Sequence, residues 1–106
     1  MASETLVYVT CKSKKEAVTI AKKLLAQRLV ACVNIFPKVE SLYRWKSKIQ
    51  RASETVLISK TKRSNFTAIC RVIKEAHSYS VPPIIEINPS RMEAQFAKWI
   101  QNETSL

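Results

Sequence analysis

Leu6-Val7-Tyr8-Val9-Thr10-Cys11, followed after one lysine by Ser13-Lys14-Lys15-Glu16, sets the architecture of this chain. In the first stretch Val7 and Val9 alternate with Tyr8 and Thr10, all good strand formers, so Leu6 to Cys11 reads as a strand. The second stretch has the spacing of a capping box, in which a serine hydroxyl and a glutamate three residues on satisfy the first free N–H groups of a helix. Ala17, Ile20, Ala21, Leu24 and Leu25 then recur at helical spacing and leave Lys15, Lys22 and Lys23 towards solvent.

Beyond this unit, Leu29 to Phe36 is an apolar run suited to a buried strand, and Pro37 marks an edge, bend or bulge at its end. Val39 to Trp45 and Ile49 to Thr61 are strand-like and flank Lys46-Ser47-Lys48, which predicts a hairpin with a three-residue loop. The chain has no glycine, so a turn needing positive φ must use another residue, and Ser47 is the candidate for that position. Ser64 or Asn65 can cap a second helix with Phe66, Ile69, Cys70, Ile73 and His77 on one face. Val81 to Ile87, containing Pro82-Pro83, returns as a strand. Ser90-Arg91-Met92-Glu93 opens a third helix expected to bury Met92, Phe96, Trp99 and Ile100, with Asn102 to Leu106 fraying. This order predicts an α+β fold: a ferredoxin-like βαββαβ sandwich with an additional C-terminal helix, as one domain over residues 1–106.

A chain of 106 residues that is 46% hydrophobic and 25% charged fits one core, and a chain so short gains from association. No apolar stretch reaches the ~20 residues that span a bilayer, and Met1 to Thr5 lacks the features of a secretory signal, so a cytoplasmic location without membrane partners is expected. Three widely spaced cysteines fit neither a disulfide framework nor a four-ligand zinc site. The formal charge of +10 attracts polyanions without selecting among them, and without an RNA-binding signature no specific nucleic acid is predicted.

Cys11, Cys32, Cys70 and His77 are the soft donors that would suit copper or zinc. Cys32 and Cys70 lie on apolar faces and read as packing residues. Cys11, at a strand end beside Lys12, is expected to be more open, with its thiolate favoured. His77 either closes its helix or projects into a cleft. Tyr43 and Trp45 share one side of a strand and suit a subunit contact. No nucleophile, base and oxyanion donor stand at a recognisable spacing, so no enzyme is predicted.

Val7-Tyr8-Val9-Thr10, Ala31-Cys32-Val33-Asn34, Tyr43-Arg44-Trp45, Lys60-Thr61, His77-x-Tyr79-x-Val81-Pro82 and Trp99, in this order, resemble the CutA family of divalent-cation tolerance proteins over nearly the whole chain. The resemblance implies a ferredoxin-like fold, a homotrimer built by strand pairing between subunits, and inter-subunit clefts gathering Trp45, Lys60, His77 and Tyr79. It implies a role in tolerance of copper or another divalent cation, with Cys11 and His77 as candidate ligands and no organic cofactor. A signalling or scaffold trimer binding a small anionic ligand through Trp45, Lys60 and Tyr79 is the alternative, and a basic polyanion-binding module a second. The chain departs from the family pattern at Ser47 (usually glycine), Ser78 (usually proline), Pro83 (usually glutamate) and Gln50-Arg51-Ala52 (commonly acidic).

Overall fold

The computed structural model describes residues 2–105. Four strands, β1 (Glu4–Cys11), β2 (Cys32–Trp45), β3 (Lys48–Lys62) and β4 (Ile84–Ile87), form one antiparallel sheet in the order β2-β3-β1-β4. Helices α1 (Lys14–Ala26) and α2 (Phe66–Ala76) connect them, and α3 (Ala94–Glu103) follows the last strand. The result is a mixed α+β fold with three helices.

Strand alternation sorts the sheet into two faces. Val7, Val9 and Cys11 of β1 and Leu57 of β3 point to α1 and α2, where Ile20, Leu24, Ile69 and Ile73 complete a fully buried core. The opposite face carries Leu6, Tyr8 and Ile58, half-buried, and Phe36, Ile85 and Ile87, each about half exposed. α3 covers one end of this second face, with Gln101 Nε2 donating to Glu4 Oε2 at 2.6 Å.

The hairpin differs from the expected one in its turn. Trp45 pairs with Lys48, so the loop has two residues, Lys46 at φ 49° and Ser47 at φ 64°. Positive φ at both central positions matches the right-handed twist of the strands, which a longer loop would not need to follow. Pro37 sits in the expected bulge: β2 places two residues, Pro37 and Lys38, between the Phe36–Val56 and Val39–Glu54 pairs where β3 places one, Thr55, and Lys38 takes φ 60°. Past the end of β1 at the Cys11–Thr55 pair, the hairpin extends with no further strand beside it among the described residues, giving a body of 45 × 27 × 22 Å.

Other boundaries also shift. β2 begins at Cys32, because Leu29 still belongs to the α1 exit where Arg28 takes φ 55°. Asn65 stands at the start of α2 without capping it; its Nδ2 donates instead to Leu29 O at 3.0 Å. Val81 to Pro83 remain outside β4, as prolines without N–H would dictate. α3 starts at Ala94, capped by the Glu93 carboxylate, which accepts from Gln95 N and Phe96 N. Only Ile100 of its expected core residues is fully buried, while Phe96 and Trp99 stack at 5.8 Å on the surface. The C-terminus does not fray through residue 105: Thr104 is buried, its hydroxyl donating to Ile100 O at 2.8 Å.

Candidate metal centre

The end of β1, the first turn of α1 and the end of α2 meet at one end of the sandwich. Ser13 fixes the start of α1 by accepting Glu16 N at 3.2 Å, which turns the Glu16 carboxylate back over the strand end. α2 stops at His77, whose backbone has turned extended (φ −85°, ψ 142°), so its ring drops beneath Glu16 beside Cys11. The Cys11 Sγ, a Glu16 carboxylate oxygen and a His77 ring nitrogen all lie within 4.8 Å of one another. Capping spacing alone predicts a structural role for Glu16; its second oxygen, free to serve a neighbour, was the signal for a wider one.

Glu16 and His77 are already engaged. Glu16 Oε1 accepts Lys12 N at 3.1 Å and Oε2 accepts Ser78 N at 3.0 Å. His77 Nε2 donates to Thr10 O at 2.8 Å, and Nδ1 accepts Tyr79 N at 3.0 Å. Because Thr10 O can only accept and Tyr79 N can only donate, these partners select the neutral Nε2–H tautomer. The Tyr79 hydroxyl donates to Glu54 Oε2 at 2.5 Å, tying the loop after α2 to β3.

Cys11 is not the open, thiolate-favouring residue its neighbour Lys12 suggests. It is completely buried, and burial, then the carboxylates of Glu16 and Glu54, push its thiol up to about 12. Strand alternation explains the difference: Cys11 points inwards with Val7 and Val9, whereas Lys12 lies past the strand end in solvent. Burial pushes the Glu16 carboxyl up, but the hydrogen bonds from Ser78 and Lys12 outweigh it and hold the group below its usual range. Burial, the hydrogen bond to Glu54 and the nearby carboxylates raise the Tyr79 phenol.

The donor set fits a borderline cation. Thiolate, imidazole and carboxylate together suit zinc or copper, and three protein donors leave a position for water or a fourth ligand. A bound cation would itself lower the thiol's cost of ionising.

The other candidate residues are not gathered within one chain. Lys60, paired opposite Leu6 and Cys32, bonds to Asn34 Oδ1 and lies 3.8 Å from Cys32 Sγ on the second face. Trp45, 60% exposed at the hairpin tip, pairs with Lys48, about 40 Å along β3 from Lys60 at the usual strand rise. Tyr79 stands between them beside Glu54. Two grooves of about 320 and 310 Å³ share Lys62 as a lining residue, at the far end of the sheet from Cys11.

Residues 5–103 match the family model described as CutA1 divalent ion tolerance protein. The chain is 42% identical to the divalent-cation tolerance protein CutA of Archaeoglobus fulgidus, with 89% of this chain and 91% of the relative covered. It is 35% identical to that of Thermus thermophilus, with 95% and 98% covered. It spans 56% of the chloroplastic rice CutA 1 and 57% of human CutA, about half the length of those relatives. The crystal structure of divalent ion tolerance protein CutA1 from Ehrlichia chaffeensis superposes with a TM-score of 0.94 at 32% identity, covering 100% of this chain and 99% of that one.

Proposed function

Because the chain belongs to the CutA1 divalent ion tolerance family, we propose that it is a non-enzymatic protein that contributes to divalent-cation tolerance by binding the cation itself, copper or zinc, through Cys11, Glu16 and His77. The convergence of those three donor atoms within 4.8 Å carries this reading. Bound there, the cation would be held by soft and hard donors together, out of reach of adventitious redox partners because Cys11 is buried.

The working form is a homotrimer of ferredoxin-like subunits. The strand order β2-β3-β1-β4 supports the topology, and the apolar second face with Phe36, Ile85 and Ile87 supports the assembly. The separation of Trp45 from Lys60 and Tyr79 means that a cleft combining them, and any small anion it held, would form only between subunits. Three free cysteines fit a reducing compartment such as the cytoplasm, and no helix among the described residues is long and apolar enough to cross a membrane. Isothermal titration of Zn²⁺, Cu(I) and Cu(II) into the reduced protein tests the binding: one ion per chain is expected for at least one of them, and heat indistinguishable from dilution for all three removes the proposal.

A further inference from the structure

We propose that cation binding at this centre and closure of the Ser78–Tyr79 backbone exclude one another, so that the segment leading into β4 is a latch opened by metal; this rests on the metal-binding reading above. The conflict lies first at the His77 imidazole. Its Nδ1 has one lone pair, which Tyr79 N–H already occupies at 3.0 Å, while Nε2 carries the proton donated to Thr10 O. Nδ1 is also the nitrogen that faces the Glu16 carboxylate, at 3.7 Å. A cation held between Glu16 and His77 takes that lone pair and expels the Tyr79 amide.

The neighbouring amide is displaced for a second reason. Ser78 N–H points at Glu16 Oε2 at 3.0 Å, so two successive N–H dipoles direct their positive ends at the cluster. In the closed form they stand in for the cation's charge, and a real cation repels both. The displaced segment is anchored on its other side by the Tyr79 hydroxyl on Glu54, which lies in β3 opposite Val39, just past the bulge in β2. Opening at His77 therefore pulls on the root of the long hairpin.

Linkage gives the converse: whatever weakens the closed latch raises cation affinity by the factor it takes from closure. Ser78→Pro deletes one competing N–H, and the extended His77 backbone (φ −85°, ψ 142°) is the conformation a following proline requires. Tyr79→Phe leaves both amides in place and removes only the tie to Glu54, which provides an independent variant should the proline disturb folding.

Amide hydrogen exchange of the intact protein, followed by NMR with and without saturating Zn²⁺, tests the latch. Exchange at Ser78 and Tyr79 should accelerate about tenfold or more while Val9 and Ala17 stay unchanged, and both variants should bind Zn²⁺ several-fold more tightly. Zn²⁺ bound one per chain with the two amides still protected, or variants of unchanged affinity, would overturn the latch and leave the metal centre standing. Absence of Zn²⁺ binding in the wild-type chain would overturn the latch, and absence of copper binding as well would overturn the metal centre with it.

Discussion

Glu16 Oε1 lies 3.7 Å from His77 Nδ1, yet the two are held together without a shared proton, because that nitrogen accepts Tyr79 N–H and its partner nitrogen donates to Thr10 O. The pair is a junction of three chain segments, assembled from backbone amides that a cation would have to replace. This makes the cation-free state a well-bonded structure in its own right, and several measurable properties follow from it.

Cys11 should be the slowest of the three thiols to alkylate. It is fully buried with its thiol pushed up to about 12, whereas Cys32 and Cys70 are half-buried. Mass mapping after timed iodoacetamide treatment at neutral pH should find Cys32 and Cys70 modified before Cys11. Since the folded thiol is raised above its ordinary value of 9.0, stability is complete below about pH 9 and falls as pH rises towards 12, where the unfolded chain has released a proton that the folded chain retains.

Glu16 works in the opposite direction. Its folded pKa is lowered from 4.5, so its contribution is present above that value and is lost as pH falls through the folded value below it. Glu16→Ala removes the acceptor of Lys12 N and Ser78 N, and should cost about 1–3 kcal/mol in urea unfolding at neutral pH. The difference between wild type and variant should shrink in acid.

Much of this fold was legible in the chain, and the reason is local consistency. The alternation of Leu6 to Cys11 and the spacing from Ser13 to Leu25 each specify one element, and both formed where predicted. Pro37 announced its bulge because a residue without an N–H cannot continue a ladder. The candidate site was only half legible. Cys11 and His77 stand out by residue type, but Glu16 became a partner only when α2 brought His77 beneath it, across 61 residues of chain that no local pattern spans. The burial of Cys11 was misread because Lys12 adjoins it in sequence, while strand geometry sends the two in different directions. Phe96 and Trp99 looked like core by helical spacing; among the described residues of a single chain they remain 38% and 43% exposed.

The Lys46-Ser47 turn should be improvable. Both residues hold positive φ, 49° and 64°, at a cost that asparagine and glycine largely avoid. Replacing the pair with Asn-Gly should raise stability by about 0.5–1 kcal/mol, read as a higher urea midpoint at unchanged slope.

Assembly should depend on the second face of the sheet. Ile85 is 51% exposed in the single chain, in the β4 edge strand beside Tyr8. Ile85→Asp places a charge on this face and should convert the proposed trimer to single chains by light scattering, with the far-UV circular dichroism preserved. A wild-type protein that is already monomeric at micromolar concentration would refute the assembly.

Whether Cys11, Glu16 and His77 together hold a cation, as proposed, is decided by a chelator competition titration. Cu(I), Cu(II) and Zn²⁺ would be titrated into the reduced protein and into Cys11→Ser, Glu16→Gln and His77→Ala. One ion per chain is expected for at least one of these metals, weakened about tenfold or more by each substitution. Equal affinity in all four proteins, or no binding that competes with the chelator, would contradict it.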